Sequence, residues 1–197
     1  KPGLLVKNKK SDQSHIMLGV RGYDLFDERR YILEVLADVL GGGMSSRLFQ
    51  TIRGEMGAAY YVHTVDHEFT DHGYMAARAG LGNEKLLDAV KAILGEFKRL
   101  KDEKVSEAEL KKAKDHMIGG LMLSLETSDS LAEFYGFQEL LTREVLTPEE
   151  TMQKIEKVTA EDIQAIANEV FTNDKLNLAI IGPGGDEKDL EQVLKIA

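Results

Sequence analysis

The sequence HTVDH contains two histidines and an acid, His63, Asp66 and His67, at a spacing that could bind a metal ion. On an α-helix, side chains four residues apart are neighbours about 6 Å from each other, so this segment would present two zinc ligands and an acid to one ion. The surrounding residues predict a β-strand instead. At about 3.3 Å per residue the histidine Cα atoms would lie about 13 Å apart, so we expect a solvated hairpin end and no zinc site.

Arg53 and Tyr60 form the second candidate, because they are seven residues apart across a helix end, a glycine turn and a strand start. A guanidinium beside a phenol makes a pair of donors suited to a carbonyl oxygen that gains negative charge in a tetrahedral intermediate. The structural alternative is that Arg53 is a cation at a helix C-terminus and Tyr60 a half-buried strand aromatic. The spacing alone leaves both open.

Hydrophobic periodicity predicts the elements that would position these residues. A strand at 14–22 precedes an amphipathic helix at 30–40, which the glycines at 41–43 end. A short helix capped by Ser45 or Ser46 would end at Gly57, and the two β-patterned runs after it predict an antiparallel hairpin.

The second half of the chain is predicted to be helical up to a final strand. Helices are expected to start at Asn83, at Ser106 with Glu109 completing a capping box, near Thr127, and at Thr147 and Thr159, and the glycine pair 119–120 would interrupt the second of these. This order favours an α+β fold, a two-layer domain with a largely antiparallel sheet covered on one face by helices.

Composition bounds the remaining function classes. A chain of 197 residues with 43% hydrophobic content is expected to form a single domain over 1–197, and its net charge of −9 disfavours nucleic acid as a partner. No apolar run reaches the roughly 20 residues of a membrane span. The chain has no cysteine, and a cytoplasmic or a periplasmic location fits equally well. It starts without Met or an apolar signal core, so we expect a fragment of a longer protein or a partner of another domain.

The run LGGGMSSRLFQTIRGEMGAAYYV, at 40–62, resembles the C-terminal-half signature of the pitrilysin and insulinase family of inverted zinc metallopeptidases, of the mitochondrial-processing-peptidase type. Residues 9–24 resemble the opening strand of that half, and 158–183 resemble its closing helix and strand. The resemblance implies two homologous α+β domains that face each other, the first of which binds Zn²⁺ through an HxxEH helix.

The resemblance also implies roles for individual residues. Arg53 and Tyr60 match the pair that holds the substrate backbone and stabilises the oxyanion, a supporting catalytic role. The helix at 30–40 matches the zinc-motif helix but carries Glu34 and no histidine. The chain is therefore expected to bind no metal or cofactor and to be inactive alone, with Zn²⁺ in the complete metalloendopeptidase held by the missing half.

The implied partners are a homologous zinc-bearing domain or subunit and an extended peptide substrate, and an exposed domain face would also permit a homodimer. Two alternatives belong to other classes. One is a non-catalytic scaffold subunit of the same family, as in the core subunits of a respiratory complex. The other is a free-standing peptide-binding module. Retention of both Arg53 and Tyr60 favours participation in catalysis over the scaffold.

Overall fold

A computed structural model describes residues 1–183 and 185–196. In chain order the elements are β1 (Gly3–Asn8), β2 (Gln13–Gly22), α1 (Arg30–Gly41), a π-helix (Phe49–Glu55), β3 (Ala59–Glu68), β4 (Gly73–Gly82), a 3₁₀ turn (Asn83–Lys85), α2 (Leu86–Asp102), α3 (Glu107–Ser124), α4 (Ser128–Leu141), α5 (Pro148–Lys157), α6 (Ala160–Val170), β5 (Leu176–Gly182) and α7 (Glu187–Val193). Among these described residues, none of the helices has the length and hydropathy needed to cross a bilayer.

The sheet has five strands in the order β1-β5-β2-β4-β3. Three of its four pairings are antiparallel, and only β1 runs parallel to its neighbour β5. The predicted hairpin is formed by β3 and β4, each ten residues long. The strand order places β3 at one edge of the sheet. The strand β1 was not predicted from the sequence, because its six residues pair with a strand about 170 positions further along the chain.

Helices cover one face of this sheet, which confirms the predicted two-layer α+β class. Along β5 the buried residues Leu176, Leu178 and Ile180 alternate with exposed residues on the opposite face. The buried side chains join one hydrophobic core with those of α1, α2 and α6. Phe97 and Phe171 stack within it with ring centroids 4.3 Å apart. The other face of the sheet, called here the open face, carries no helix among the described residues.

Helix α1 packs directly beneath β3, and a glycine makes this approach close. The Thr64 hydroxyl donates a hydrogen bond to the Ala37 carbonyl, near the end of α1. A Cβ atom at Gly41 would lie 2.6 Å from the Thr64 backbone nitrogen, so a larger residue there would force the two elements apart. The first of the three glycines thus ends the helix and also lets the strand pack onto it.

Most of the predicted helix starts are confirmed, and two differ in detail. Thr147 and Thr159 each form a complete capping box. Ser106 caps α3, but the Glu109 carboxylate binds Arg47 instead of completing the box. Asn83 does not cap α2, because its side chain is bonded to Ser14 and to the Asp12 carbonyl and a 3₁₀ turn intervenes before Leu86.

Two expectations about helix ends and breaks are wrong. The Ser46 hydroxyl donates to the Gly43 carbonyl, so it does not cap the segment that follows. Helix α3 continues through Gly119 and Gly120 to Ser124, because both positions lie against open space and nothing there forces a break.

Candidate functional site

Arg53 lies in the last turn of the π-helix, on its exposed side. Its guanidinium carbon is 5.2 Å from the centre of the Phe49 ring, a cation–π contact within one turn of the chain. The π-helix itself is a seven-residue segment, and such wide turns are rare and often occur at functional sites. The short helix expected before Gly57 is therefore present, in a different helical form.

Tyr60 is the second residue of β3 and is 61% exposed. Ala59 pairs with Leu81 and Tyr61 with Gly80, so Tyr60 is the extra residue of a β-bulge. Bulges redirect a side chain away from the regular alternation, and they are common next to active sites. The half-buried strand aromatic considered as the alternative for Tyr60 is thus not what the structure shows.

A tight connection joins the two residues. The Ala58 amide donates to the Ile52 carbonyl at 2.9 Å, and Gly57 has φ of +56°, a left-handed conformation that favours glycine. The Gly82 amide then donates to the Ala58 carbonyl and ties the turn to β4. Among the described residues no hydrogen bond joins Arg53 to Tyr60, and both residues are exposed.

A buried arginine, which we did not single out from the sequence, anchors this segment. The Arg47 guanidinium makes two hydrogen bonds to the Glu109 carboxylate, at 2.7 Å and 2.9 Å, and lies 3.8 Å from Glu96. Only 12% of the Arg47 side chain is exposed. The ion pair connects Arg47, two positions before the π-helix, to α3, 62 positions later. Separation in sequence hid this pairing, and the only local signal was an arginine followed directly by Leu48 and Phe49.

Three carboxylates meet where α1 faces β3. Ligand oxygens of Glu34, Asp66 and Glu68 all lie within 4.8 Å of one another. Burial, together with the charge of Glu68, raises the pKa of Glu34 to about 8, and burial with the charge of Asp66 raises the pKa of Glu68 to about 6. Arg30 supplies a positive charge 3.3 Å from Glu34. Such a donor set suits a hard cation, but a shared proton and Arg30 already account for it, so we assign no metal to this cluster.

The histidines near this cluster point elsewhere. His63 and His67 both lie on β3, as predicted, and face Arg78 and Tyr74 of β4 on the open face, whereas Asp66 faces α1. Two positions four residues apart along a strand are about 13 Å apart, too far for shared ligation of one ion. Burial and the neighbouring Arg78 charge lower the pKa of His63.

Helix α1 carries acids and no histidine. Glu34 and Asp38 are one turn apart on it, and Asp38 receives a 2.7 Å hydrogen bond from His116 of α3. Burial raises the pKa of Asp38, and the bond to His116 opposes that rise. The pair connects α1 to α3 beside the acidic cluster.

Residues 1–117 match the family described as the Peptidase M16 inactive domain. The chain is similar to an uncharacterised zinc protease, YmxG, of Bacillus subtilis, with 36% identity over 182 residues, 92% of this chain and 44% of that protein. An uncharacterised zinc protease of Mycobacterium bovis, Mb2805c, is 34% identical over 98% of this chain and 44% of its own length.

Solved structures share the fold. A peptidase M16 inactive domain from Pseudomonas fluorescens superimposes with a TM-score of 0.83 and 21% identity over 94% of this chain and 44% of that one. A chain of complex III2 from Candida albicans gives 0.84 and 18% over 98% of this chain and 49% of that one.

The chain therefore belongs to the M16 peptidase family and corresponds to its inactive domain. It spans less than half the length of the curated zinc proteases that it matches. The resemblance noted in the sequence is thereby confirmed.

Proposed function

We propose that this chain is the substrate-binding, oxyanion-stabilising half of a zinc-dependent metalloendopeptidase and that it is inactive alone. The observation that carries the proposal is the exposure of Arg53 and Tyr60 at the two ends of one tight connection beside the edge strand β3. A residue kept for packing alone has no reason to occupy a bulge with its ring in solvent.

The proposed roles follow from the chemistry of the two side chains. The Arg53 guanidinium and the Tyr60 hydroxyl donate hydrogen bonds to the scissile carbonyl oxygen, and these bonds strengthen as that oxygen becomes an oxyanion. Zinc in the partner half would supply the Lewis acid and the activated water. This chain would position the peptide and would stabilise the negative charge that develops on the carbonyl oxygen. Both contributions accelerate the reaction because they favour the transition state over the ground state.

The edge position of β3 supports binding of an extended peptide. An edge strand presents unpaired backbone donors and acceptors, to which a peptide strand can add. Tyr60 lies at the start of this strand and Arg53 lies just before it, across the turn at Gly57, so a peptide added to the strand is expected to pass both residues. A pure scaffold would need neither an accessible edge nor this pair.

A second surface supports pairing with a zinc-bearing domain or subunit. Helix α4 has no buried residue, and the end of α3 and α4 expose a group of large apolar side chains: Met122, Leu123, Phe137, Leu140 and Leu141. Large apolar side chains exposed to this extent are a feature of interaction sites in soluble proteins. We propose that the zinc-bearing half covers this α3–α4 apolar surface, whether it belongs to the same polypeptide, consistent with the greater length of the relatives, or to a separate subunit.

The test is turnover by the complete protease, in which this chain is joined or paired with its zinc-bearing half. Arg53→Ala and Tyr60→Phe are expected to lower kcat for a peptide substrate at least about tenfold at unchanged zinc content. Tyr61→Phe is the matched control, because Tyr61 is the adjacent tyrosine and its hydroxyl contacts His15 instead. Unaltered turnover in both Arg53 and Tyr60 variants would remove the oxyanion role.

Peptide titration of this chain without the zinc half separates the remaining alternative. A free-standing peptide-binding module would hold extended peptides with full affinity in the absence of its partner. Both alternatives leave peptide uncut by the isolated chain, so the decisive step is addition of the zinc half: the proposed enzyme half then supports hydrolysis, whereas a peptide-binding module does not.

A further inference from the structure

The charged residues of the sheet are sorted by face. The strands hold two acids, Asp66 and Glu68, and both lie on the helix-covered face in the cluster with Glu34. Every basic residue of the strands falls on the open face by the alternation of the pleat: Lys7, His15, Arg21, His63, His67 and Arg78. With the histidines neutral, the strand residues of the open face carry only positive charges, those of Lys7, Arg21 and Arg78, in a protein whose net charge is −9.

The register places a hollow at the centre of this open face. Gly19 of β2 pairs with Ala76 of β4, and the larger side chains of Met17 and Tyr74 rise on either side. The hollow has a volume of about 310 Å³, which is near the lower end of the range for ligand pockets. Small residues at its floor and large ones at its walls create the depression.

Two arginines without carboxylate partners flank the hollow. Arg21 and Arg78 are exposed, and among the described residues no acidic side chain pairs with either. Arg78 of β4 lies opposite Met17 of β2, and Arg21 is four residues beyond Met17 on β2. At about 3.3 Å per residue and about 4.8 Å between strands, their Cα atoms are about 14 Å apart. Unpaired guanidinium groups beside an apolar depression suit carboxylates attached to an apolar ligand.

We propose that the open face binds an acidic stretch of an extended peptide, with an apolar side chain in the hollow and carboxylates on Arg21 and Arg78. Two acids four positions apart in an extended chain are about 13 Å apart, which matches the spacing of the arginines. This inference rests on the proposed function and names its substrate class: peptides that carry acidic residues within the segment lying over the sheet.

Charge and shape favour a peptide over other occupants. A second copy of this chain has the same excess of negative charge, and long-range repulsion between copies opposes stacking. A bilayer is flat on this scale and could not fill a depression walled by Met17 and Tyr74. An extended peptide fits both the depression and the spacing of the cations.

The test measures binding of fluorescent ten-residue peptides to the 197-residue chain by anisotropy. One peptide has two glutamates four positions apart around a leucine, and its partner has glutamine at both positions. We expect the glutamate peptide to bind at least tenfold more tightly, and the ratio to fall to within about twofold in Arg21→Gln/Arg78→Gln. Lys91→Gln/Lys112→Gln removes the same charge from exposed helix positions and should preserve the ratio.

A second variant tests the hollow separately from the charge. Ala179 is exposed and lines the hollow, so Ala179→Trp should fill it without disturbing the core. This variant is expected to lower the binding affinity for both peptides at least fivefold, with an unchanged circular dichroism spectrum. Equal binding of the two peptides, or an unchanged ratio in the arginine double variant, would overturn the proposal. The proposal would also be overturned if Arg21→Gln/Arg78→Gln abolished binding to anionic phosphatidylserine vesicles, or dimer formation by this chain, but left peptide binding unchanged.

Kinetics in the complete protease distinguish this proposal from the oxyanion role. Arg21→Gln/Arg78→Gln should raise KM for the glutamate peptide with kcat unchanged, whereas Arg53→Ala and Tyr60→Phe should lower kcat. The oxyanion role would be refuted if the Arg53 and Tyr60 variants turned over normally. If Arg21→Gln/Arg78→Gln then still lost the preference for the glutamate peptide, peptide binding by the open face would remain supported. Reduced kcat in the Arg53 and Tyr60 variants, with an unchanged peptide preference in Arg21→Gln/Arg78→Gln, would refute only the proposed peptide binding by the open face.

Discussion

Arg47 and Glu109 form a two-bond ion pair that holds the segment carrying Arg53 against α3. The second carboxylate, Glu96, is buried beside them, and one oxygen of Glu96 and one nitrogen of Arg47 have no hydrogen-bond partner. Such a group of charges stabilises the fold only while it is complete, because each member would be costly to leave alone in the interior. The candidate site therefore depends on a buried contact that is remote from it in sequence.

Arg47→Ala is expected to lower the free energy of unfolding by about 3 kcal/mol, because it leaves Glu109 without its cation and leaves Glu96 paired with Arg99 alone. Urea denaturation measures the change. The control is Lys104→Ala, which breaks an exposed ion pair with Glu161 and should change stability by no more than about 0.5 kcal/mol. Equal effects of the two substitutions would show that burial of the Arg47 pair has no energetic consequence.

Glu34→Gln is expected to alter the pH dependence of stability. The pKa of Glu34 is about 8 in the folded chain and near 4.5 in the unfolded chain, so between these values the folded state binds more protons. The wild-type chain should therefore lose stability as pH rises from about 5 to 8, and Glu68, with a pKa of about 6, should add to the lower part of this loss.

The glutamine variant keeps a neutral group at this position at every pH. Its advantage over the wild type should grow by at least about 1.4 kcal/mol, the equivalent of one pKa unit, between pH 5 and pH 8. Urea denaturation at the two pH values provides the measurement. Parallel pH profiles for the two proteins would contradict the raised pKa.

Gly41→Ala is expected to destabilise the fold by about 1–3 kcal/mol, because the added Cβ would meet the Thr64 backbone. Gly119→Ala provides the contrast, since that position lies in α3 against open space. There the substitution should add about 0.5–1 kcal/mol through helix propensity. Thermal melts of both variants would show opposite shifts, and shifts of the same sign would refute the close approach of α1 and β3.

Thr159→Ala removes the threonine side chain from the capping box at the start of α6 and should cost about 1 kcal/mol. The Asp162 amide loses its acceptor, and the Asp162 side chain loses the threonine hydroxyl that it now accepts from. Thr159→Ser keeps the hydroxyl and should restore most of the stability. Chemical denaturation of the two variants separates the cap from the bulk of the side chain, and an equal loss in both would assign the effect to the methyl group.

The sequence by itself determined the parts of this protein that depend on neighbouring residues. Capping residues and periodicity located α1, the helix starts at Ser106, Thr147 and Thr159, and the hairpin of β3 and β4, because these signals act within a few positions. The strand character of 59–68 also excluded a shared zinc ligation by His63 and His67. The motif around Arg53 and Tyr60 was sufficient to indicate the family.

Only the tertiary structure decided which distant residues meet. The pairing of β1 with β5, the Arg47–Glu109 ion pair and the meeting of Glu34 with Asp66 and Glu68 all join positions that are far apart in the chain. The bulge at Tyr60 and the sorting of charge between the two sheet faces likewise follow from strand register. Register depends on the whole sheet and its helical cover, so no local pattern could predict it.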